Sequence, residues 1–188
     1  TLYDFDYMKK YAKEKEKEFG FVNIHDVTNQ WGVFALAGPK SRELLKTIIE
    51  SSNPKDSLSN KNFPWLSYRN IELGMCPVMA IRVAYTGELG WELHHPIEMQ
   101  NYLFDLIYNS GKKFGLKLVG ARAQNWLRLE KSYKAFGTEL GRDATPFESR
   151  VERFVDLSKN FLGKEILWMR YVQDLMLIIQ KEAIMVLY

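Results

Sequence analysis

The feature that most limits how this chain can fold is a hydrophobic period that switches between two and 3.6 several times from Val22 to Tyr133. VNIHDVTNQ and WGVFALAG read as strand, with Trp31, Val33, Phe34 and Leu36 running up to Gly38-Pro39. SRELLKTIIE then sets Leu44, Leu45, Ile48 and Ile49 on one helical face. SSNPKDSLSNKN is rich in residues that favour turns and reads as a loop. Two further strands follow, WLSYRNIEL and PVMAIRVAY, the second alternating Val78 and Ala80 with Met79 and Ile81. The turn Thr86-Gly87-Glu88-Leu89-Gly90 leads into WELHHP, and MQNYLFDLIYNSGKKFG makes a helix that buries Leu103, Leu106 and Ile107 and stops near Gly111 and Gly115. A short strand, LKLVG, precedes the helix ARAQNWLRLEKSY. The succession strand, helix, strand, strand, helix, strand, helix predicts an α+β fold of the ferredoxin-like, split βαβ kind.

The flanks read differently. Residues 1–20 form an exposed helix in which Lys13, Lys15 and Lys17 alternate with Glu14, Glu16 and Glu18, with Gly20 as the stop. Beyond Gly137 the text is turn-rich through TELGRDATPFESR and FVDLSKNFLGKE, and residues 166–188 read as an apolar, truncated or aberrant tail. Thr1 is not an initiator, which suggests upstream sequence. The 188 residues carry a net charge of only +3, so there is no nucleic-acid footprint. No uninterrupted apolar run is long enough for a membrane helix, and the single cysteine, Cys76, rules out an internal disulfide and points to a reducing compartment. His94 and His95 are adjacent, so on a strand they face opposite ways, and no metal site is expected. Cys76 reads as a buried, inert thiol.

Chemistry concentrates in YTGELGWEL. Gly87 and Gly90 permit the positive φ that would fold this ribbon back and bring Tyr85 and Glu92 to one pocket. A carboxylate there can accept the parallel N–H pair of an amino-pyrimidine edge, such as a pterin presents. The plainer reading makes the segment a hairpin tip with Glu88 solvated and Glu92 on an edge strand. Arg128, inside an apolar helix, is expected to pair with Glu130 or Glu139.

RVAYTGELGWELHHP resembles the folate-site segment of the aminomethyltransferase (glycine-cleavage T-protein) superfamily, and with Leu89 and Trp91 it is most similar to the dimethylglycine and sarcosine dehydrogenase branch. HDVTNQWGVFALAGPKSRELL, WLRLEKSYKAFGTEL, DATPFES and FLGKE resemble further family segments in the same order, covering roughly Val22 to Glu165. The resemblance implies a folate-binding domain over residues 21–165, preceded by the remnant of a first folate subdomain in residues 1–20. It implies tetrahydrofolate as cofactor, with Glu92 on the pterin edge, Tyr85 against the folate and Tyr133 as a further aromatic contact. Gln124 stands where the T-protein branch has an arginine, which weakens a glutamate-tail contact, and Ser149-Arg150 departs from the family's small residues.

The family's aspartate lies upstream of the HDVT segment; Asp4 and Asp6 carry no matching context, so the catalytic residue is unknown. No GxGxxG or P-loop pattern occurs, so FAD would belong to a fused flavin domain upstream of this chain. The implied activity is transfer of a one-carbon unit from an N-methylated amine, or the imine or formaldehyde derived from it, to tetrahydrofolate, giving 5,10-methylenetetrahydrofolate, in the cytoplasm or in the mitochondrial matrix of a eukaryote. Two alternatives stay open: a non-catalytic folate-binding regulatory or assembly protein of the same fold, and a folate-dependent demethylase.

Overall fold

A computed structural model describes residues 2–51, 57–141 and 143–185. The chain forms two compact units, Thr1–Leu127 and Arg128–Tyr188.

The first unit opens with helices α1 (Leu2–Glu14) and α2 (Glu16–Phe19), which bury no residue. Gly20 ends α2 at φ 83°, a conformation that glycine adopts without steric cost. The segment VNIHDVTNQ, expected as strand, is not one. The Asp26 carboxylate accepts from both the backbone N–H and the hydroxyl of Thr28, a local turn that competes with a β ladder. Thr28–Gln30 is a 3₁₀ turn leading into β1 (Trp31–Ala37). Helix α3 (Ser41–Lys46) is shorter than its apolar pattern. Ile48 O accepts from Gly74 N and Ile49 bridges Leu73, so the last apolar turn is drawn into the sheet margin. The expected loop Ser51–Asn62 lies partly outside the described residues; in its described part Leu58 is fully buried.

Strands β2 (Tyr68–Leu73), β3 (Cys76–Ile81) and β4 (Gly90–Pro96) complete a four-stranded sheet in the order β1-β4-β3-β2. Each neighbouring pair is antiparallel. The α+β class is as expected, but LKLVG, expected as a strand, forms none. WELHHP occupies the place beside β1 instead, because a connection of only eight residues, 82–89, ties it to β3. Leu118 and Val119 are left largely exposed.

One face of the sheet carries Leu36, Trp91, Leu93, Val78, Ala80 and Leu73, which pack with Leu44 and Leu45 of α3 and with Leu103 and Ile107 of α4 (Gln100–Gly111). The helical burial of Leu103, Leu106 and Ile107 is as the periodicity predicts. Trp91 meets Phe63 edge to face at 6.4 Å. His95 is fully buried on this side, stacks on Phe34 at 4.8 Å, and donates from Nδ1 to Leu93 O. Cys76 is buried as expected, and that burial pushes its thiol pKa up. Among the described residues, the sheet's other face is not covered by the core cluster.

The chain after β3 is pressed onto the start of β4. A Cβ at Gly90 would lie 2.8 Å from Ala84 Cβ and 2.9 Å from the Leu36 carbonyl oxygen. Gly90→Ala is therefore expected to destabilise the first unit by about 1–3 kcal/mol through overpacking, read as a lower denaturant midpoint with an unchanged slope.

Candidate functional site

The period of two in β4 sorts its side chains. Trp91, Leu93 and His95 enter the core, whereas Glu92 and His94 stand on the open face. Glu92 lies between Ala35 of β1 and Ile81 of β3, and His94 lies between Val33 and Met79. Two polar groups thus sit in the middle of two apolar rows. His94 Nε2 is 3.3 Å from Glu92 Oε2, and the two side chains are 23% and 44% exposed respectively.

Tyr85 lies in the connection from β3 to β4 and is partly exposed. Its neighbour Ala84 packs on Gly90, two residues before Glu92, so the loop carrying the phenol is anchored at the same end of β4 as the carboxylate. Gly87 takes φ 73°, as the turn requires. Gly90 serves a different purpose from the one its sequence suggested, since it makes room for Ala84 instead of supplying a positive φ.

A groove of about 510 Å³ curves around the β1 edge of the first unit. Its walls are Phe34, Leu36, Phe104, Ile107, Tyr108, Leu116 and Leu118, with Thr86, Glu88, Lys117 and Gln124 as polar members. Neither Tyr85 nor Glu92 lines it, but each has an immediate neighbour that does. Thr86 follows Tyr85, and Ala35 pairs with Glu92 across the ladder. Sequence reasoning missed this groove, because its walls come from a strand, a loop and two helices far apart in the chain. A second hollow of similar size lies over Trp31, Met79, Pro96 and the β2 residues Asn70 and Glu72.

Tyr133 belongs to the second unit, just past α5 (Ala121–Glu130), and is 39% exposed. Arg128, at the end of α5, is buried and donates to Tyr133 O at 2.7 Å and to Glu139 Oε2 at 2.8 Å. Of the two partners expected from the sequence, Glu139 is the one it takes. Thr138 Oγ1 and Ala135 N–H also donate to that carboxylate. Thr145 and Glu148 form a reciprocal capping box around DATPFES, and Ser149 Oγ donates to Glu139 O. The departure at Ser149-Arg150 is therefore accommodated: the serine is buried and bonded, and Arg150 takes φ 55°. Farther on, α6 (Lys164–Met185) sets Tyr171 beside Phe147, their ring centroids 4.2 Å apart, with Trp168 against Tyr171 at 5.7 Å.

Among the described residues no group of three His, Cys, Asp or Glu side chains is placed to hold a metal, and no helix is long and apolar enough to cross a membrane.

Hydrogen bonds from Thr138, Ala135 and Arg128 hold the Glu139 carboxyl at a pKa of about 2, below its ordinary 4.5. A pKa lowered by folding stabilises the folded state fully above the ordinary value, and this contribution is lost as pH falls from about 4.5 towards about 2. Glu139→Gln should lower the urea midpoint near neutral pH, with the gap to the parent closing across that acid window.

Comparison with known proteins agrees with this architecture. A profile described as the GCVT N-terminal domain matches residues 2–159. Human mitochondrial dimethylglycine dehydrogenase is 38% identical over 161 residues, which is 84% of this chain and 18% of that protein. The mouse mitochondrial dimethylglycine dehydrogenase is 38% identical over 148 residues, 78% of this chain and 16% of that one. An aminomethyltransferase of Chlorobium luteolum is 33% identical over 157 residues, 83% of this chain and 41% of that protein. The chain thus spans less than half the length of these relatives. With a family profile covering most of its residues, this chain belongs to the GCVT N-terminal domain family, the folate-binding aminomethyltransferase superfamily that its sequence resembles.

Proposed function

We propose that this chain is a tetrahydrofolate-binding module that works within a one-carbon transferase or an N-methyl amine dehydrogenase of the dimethylglycine or sarcosine type. The one-carbon unit would come from an N-methylated amine as the imine or formaldehyde left when a fused flavin domain takes two electrons from it, and condensation with tetrahydrofolate would give 5,10-methylenetetrahydrofolate. The observation that carries this reading is Glu92, a half-exposed carboxylate at the centre of the open sheet face with Ala35 and Ile81 on either side.

That setting suits a flat heterocycle bearing an edge of N–H donors. The apolar neighbours accept the ring, and two carboxylate oxygens accept two parallel hydrogen bonds, each of the charge-assisted kind. Bound there, tetrahydrofolate would supply the nitrogens that take up the one-carbon unit. The chain's own residues do the holding. Glu92 orients the pterin edge, and Tyr85, on the loop anchored through Ala84 and Gly90, is assigned to contact the folate. Tyr133 stays a further aromatic contact on the family resemblance alone. No acid or base is assigned, because neither Asp4 nor Asp6, upstream of the HDVT segment, carries the family's context.

The reading extends to organisation. Residues 21–165 form the folate-binding part, with the helical segment of residues 1–20 before it and residues 166–188 after it. A fused flavin domain would complete the dehydrogenase form, and in a eukaryote the mitochondrial matrix is the place for it, as the word mitochondrial in the names of the human and mouse relatives supports.

Glu92→Ala should weaken tetrahydrofolate binding by about 2 kcal/mol, the loss typical of hydrogen bonds to a charged group. Titration calorimetry measures it, and an unchanged dissociation constant rejects the assignment. Tyr85→Phe is expected to cause a smaller loss; affinity equal to that of the parent would leave the ring with packing alone.

A further inference from the structure

We infer that His94 is a positioning residue: its imidazole holds the Glu92 carboxylate in one orientation, so that a ligand donating a parallel N–H pair meets preset oxygens. The inference rests on the reading of Glu92 as the ligand-binding carboxylate.

The geometry begins with the β period. Residues two apart on a strand share a face, so Glu92 and His94 emerge side by side from β4. His94 is the less exposed of the two, at 23% against 44%, and its register neighbours Val33 and Met79 flank it from both adjoining strands. The ring is thus confined while the carboxylate stands further out. Its Nε2 lies 3.3 Å from Glu92 Oε2. A carboxylate has about four acceptor sites, so one N–H from the histidine leaves acceptor capacity for two from a ligand. On this face β1 and β3 offer no competing charge, their residues being Trp31, Val33, Ala35, Pro77, Met79 and Ile81. The titratable side chains on the same face of β2 are Tyr68 and Glu72, out beyond β3.

A neutral imidazole carries one N–H. Donation to Glu92 requires it at Nε2, which fixes the tautomer as well as the carboxylate plane. The binding consequence is preorganisation. A carboxylate already held in place loses less rotational freedom when a ligand docks. His95, one residue away, donates from the opposite nitrogen to Leu93 O and faces the core, so the two adjacent histidines hold opposite tautomers for opposite faces.

The pair is tested without ligand by nitrogen-detected NMR of the imidazoles in the full chain. His94 should be the Nε2–H tautomer, and Glu92→Ala should shift its ring resonances or change the tautomer; an unaltered His94 spectrum overturns the pair. Tetrahydrofolate affinity is then measured by calorimetry. His94→Leu should weaken it roughly three- to tenfold, and His94→Gln, which keeps an N–H donor, should restore most of the loss. The double variant Glu92→Ala, His94→Leu should bind no worse than Glu92→Ala alone, since the histidine acts only through the carboxylate. Parent affinity in His94→Leu alongside weakened binding in Glu92→Ala overturns the positioning role and leaves the folate reading standing. Parent affinity in Glu92→Ala removes the folate reading itself, and the ligand-free spectrum still decides whether the pair exists.

Discussion

β4 is the strand on which the first unit depends, because it is hydrogen-bonded on both edges and asked to satisfy two environments at once. Its pairing with β1 runs from Gly90 to Pro96 and its pairing with β3 joins Glu92 and His94 to Ile81 and Met79. A one-residue slip would carry Trp91, Leu93 and His95 out of the core and drive Glu92 into it. Burial of a charged carboxylate without a partner is far costlier than exposure of a leucine, so the register is held from both sides. The same constraint that builds the core therefore fixes where the polar face points.

Glycine at position 90 connects this register to the loop before it. Ala84 occupies the space that a side chain there would need, and the Leu36 carbonyl closes it from the other side. The loop bearing Tyr85 and Thr86 is consequently tied to the strand bearing Glu92 by close packing at a defined point. Thr86 then continues into the wall of the apolar groove at the β1 edge. Packing, strand register and groove are parts of one arrangement around the first three residues of β4.

The second unit is organised by a different means. Arg128 and Glu139 gather Tyr133 O, Ala135 N–H and Thr138 Oγ1 into one hydrogen-bonded cluster, and Thr145 with Glu148 closes the turn that follows. A buried guanidinium of this kind is costly to leave unpaired, which explains why the residue in LRLE is committed to structure. Among the described residues, polar satisfaction organises this turn-rich stretch.

The sequence by itself determined what depends on neighbours close in the chain. The alternation in PVMAIRVAY, the helical face of Leu103, Leu106 and Ile107, the stop at Gly20, the opposite facing of His94 and His95, and the family signature in YTGELGWEL were all legible there. Local signals failed where two of them competed. Asp26 and Thr28 turned a β-like segment into a local turn, and Ile48 and Ile49 left their helix to meet the sheet margin at Leu73 and Gly74. Only the tertiary structure decided that WELHHP, not LKLVG, stands beside β1, and that Glu92 has His94 for a neighbour amid Ala35, Ile81, Val33 and Met79. The physical reason is that strand order is set by competition among backbone edges across the whole sheet, and a residue's surroundings on a face come from other strands. Spacing along one strand says which way a side chain points, but not what it meets.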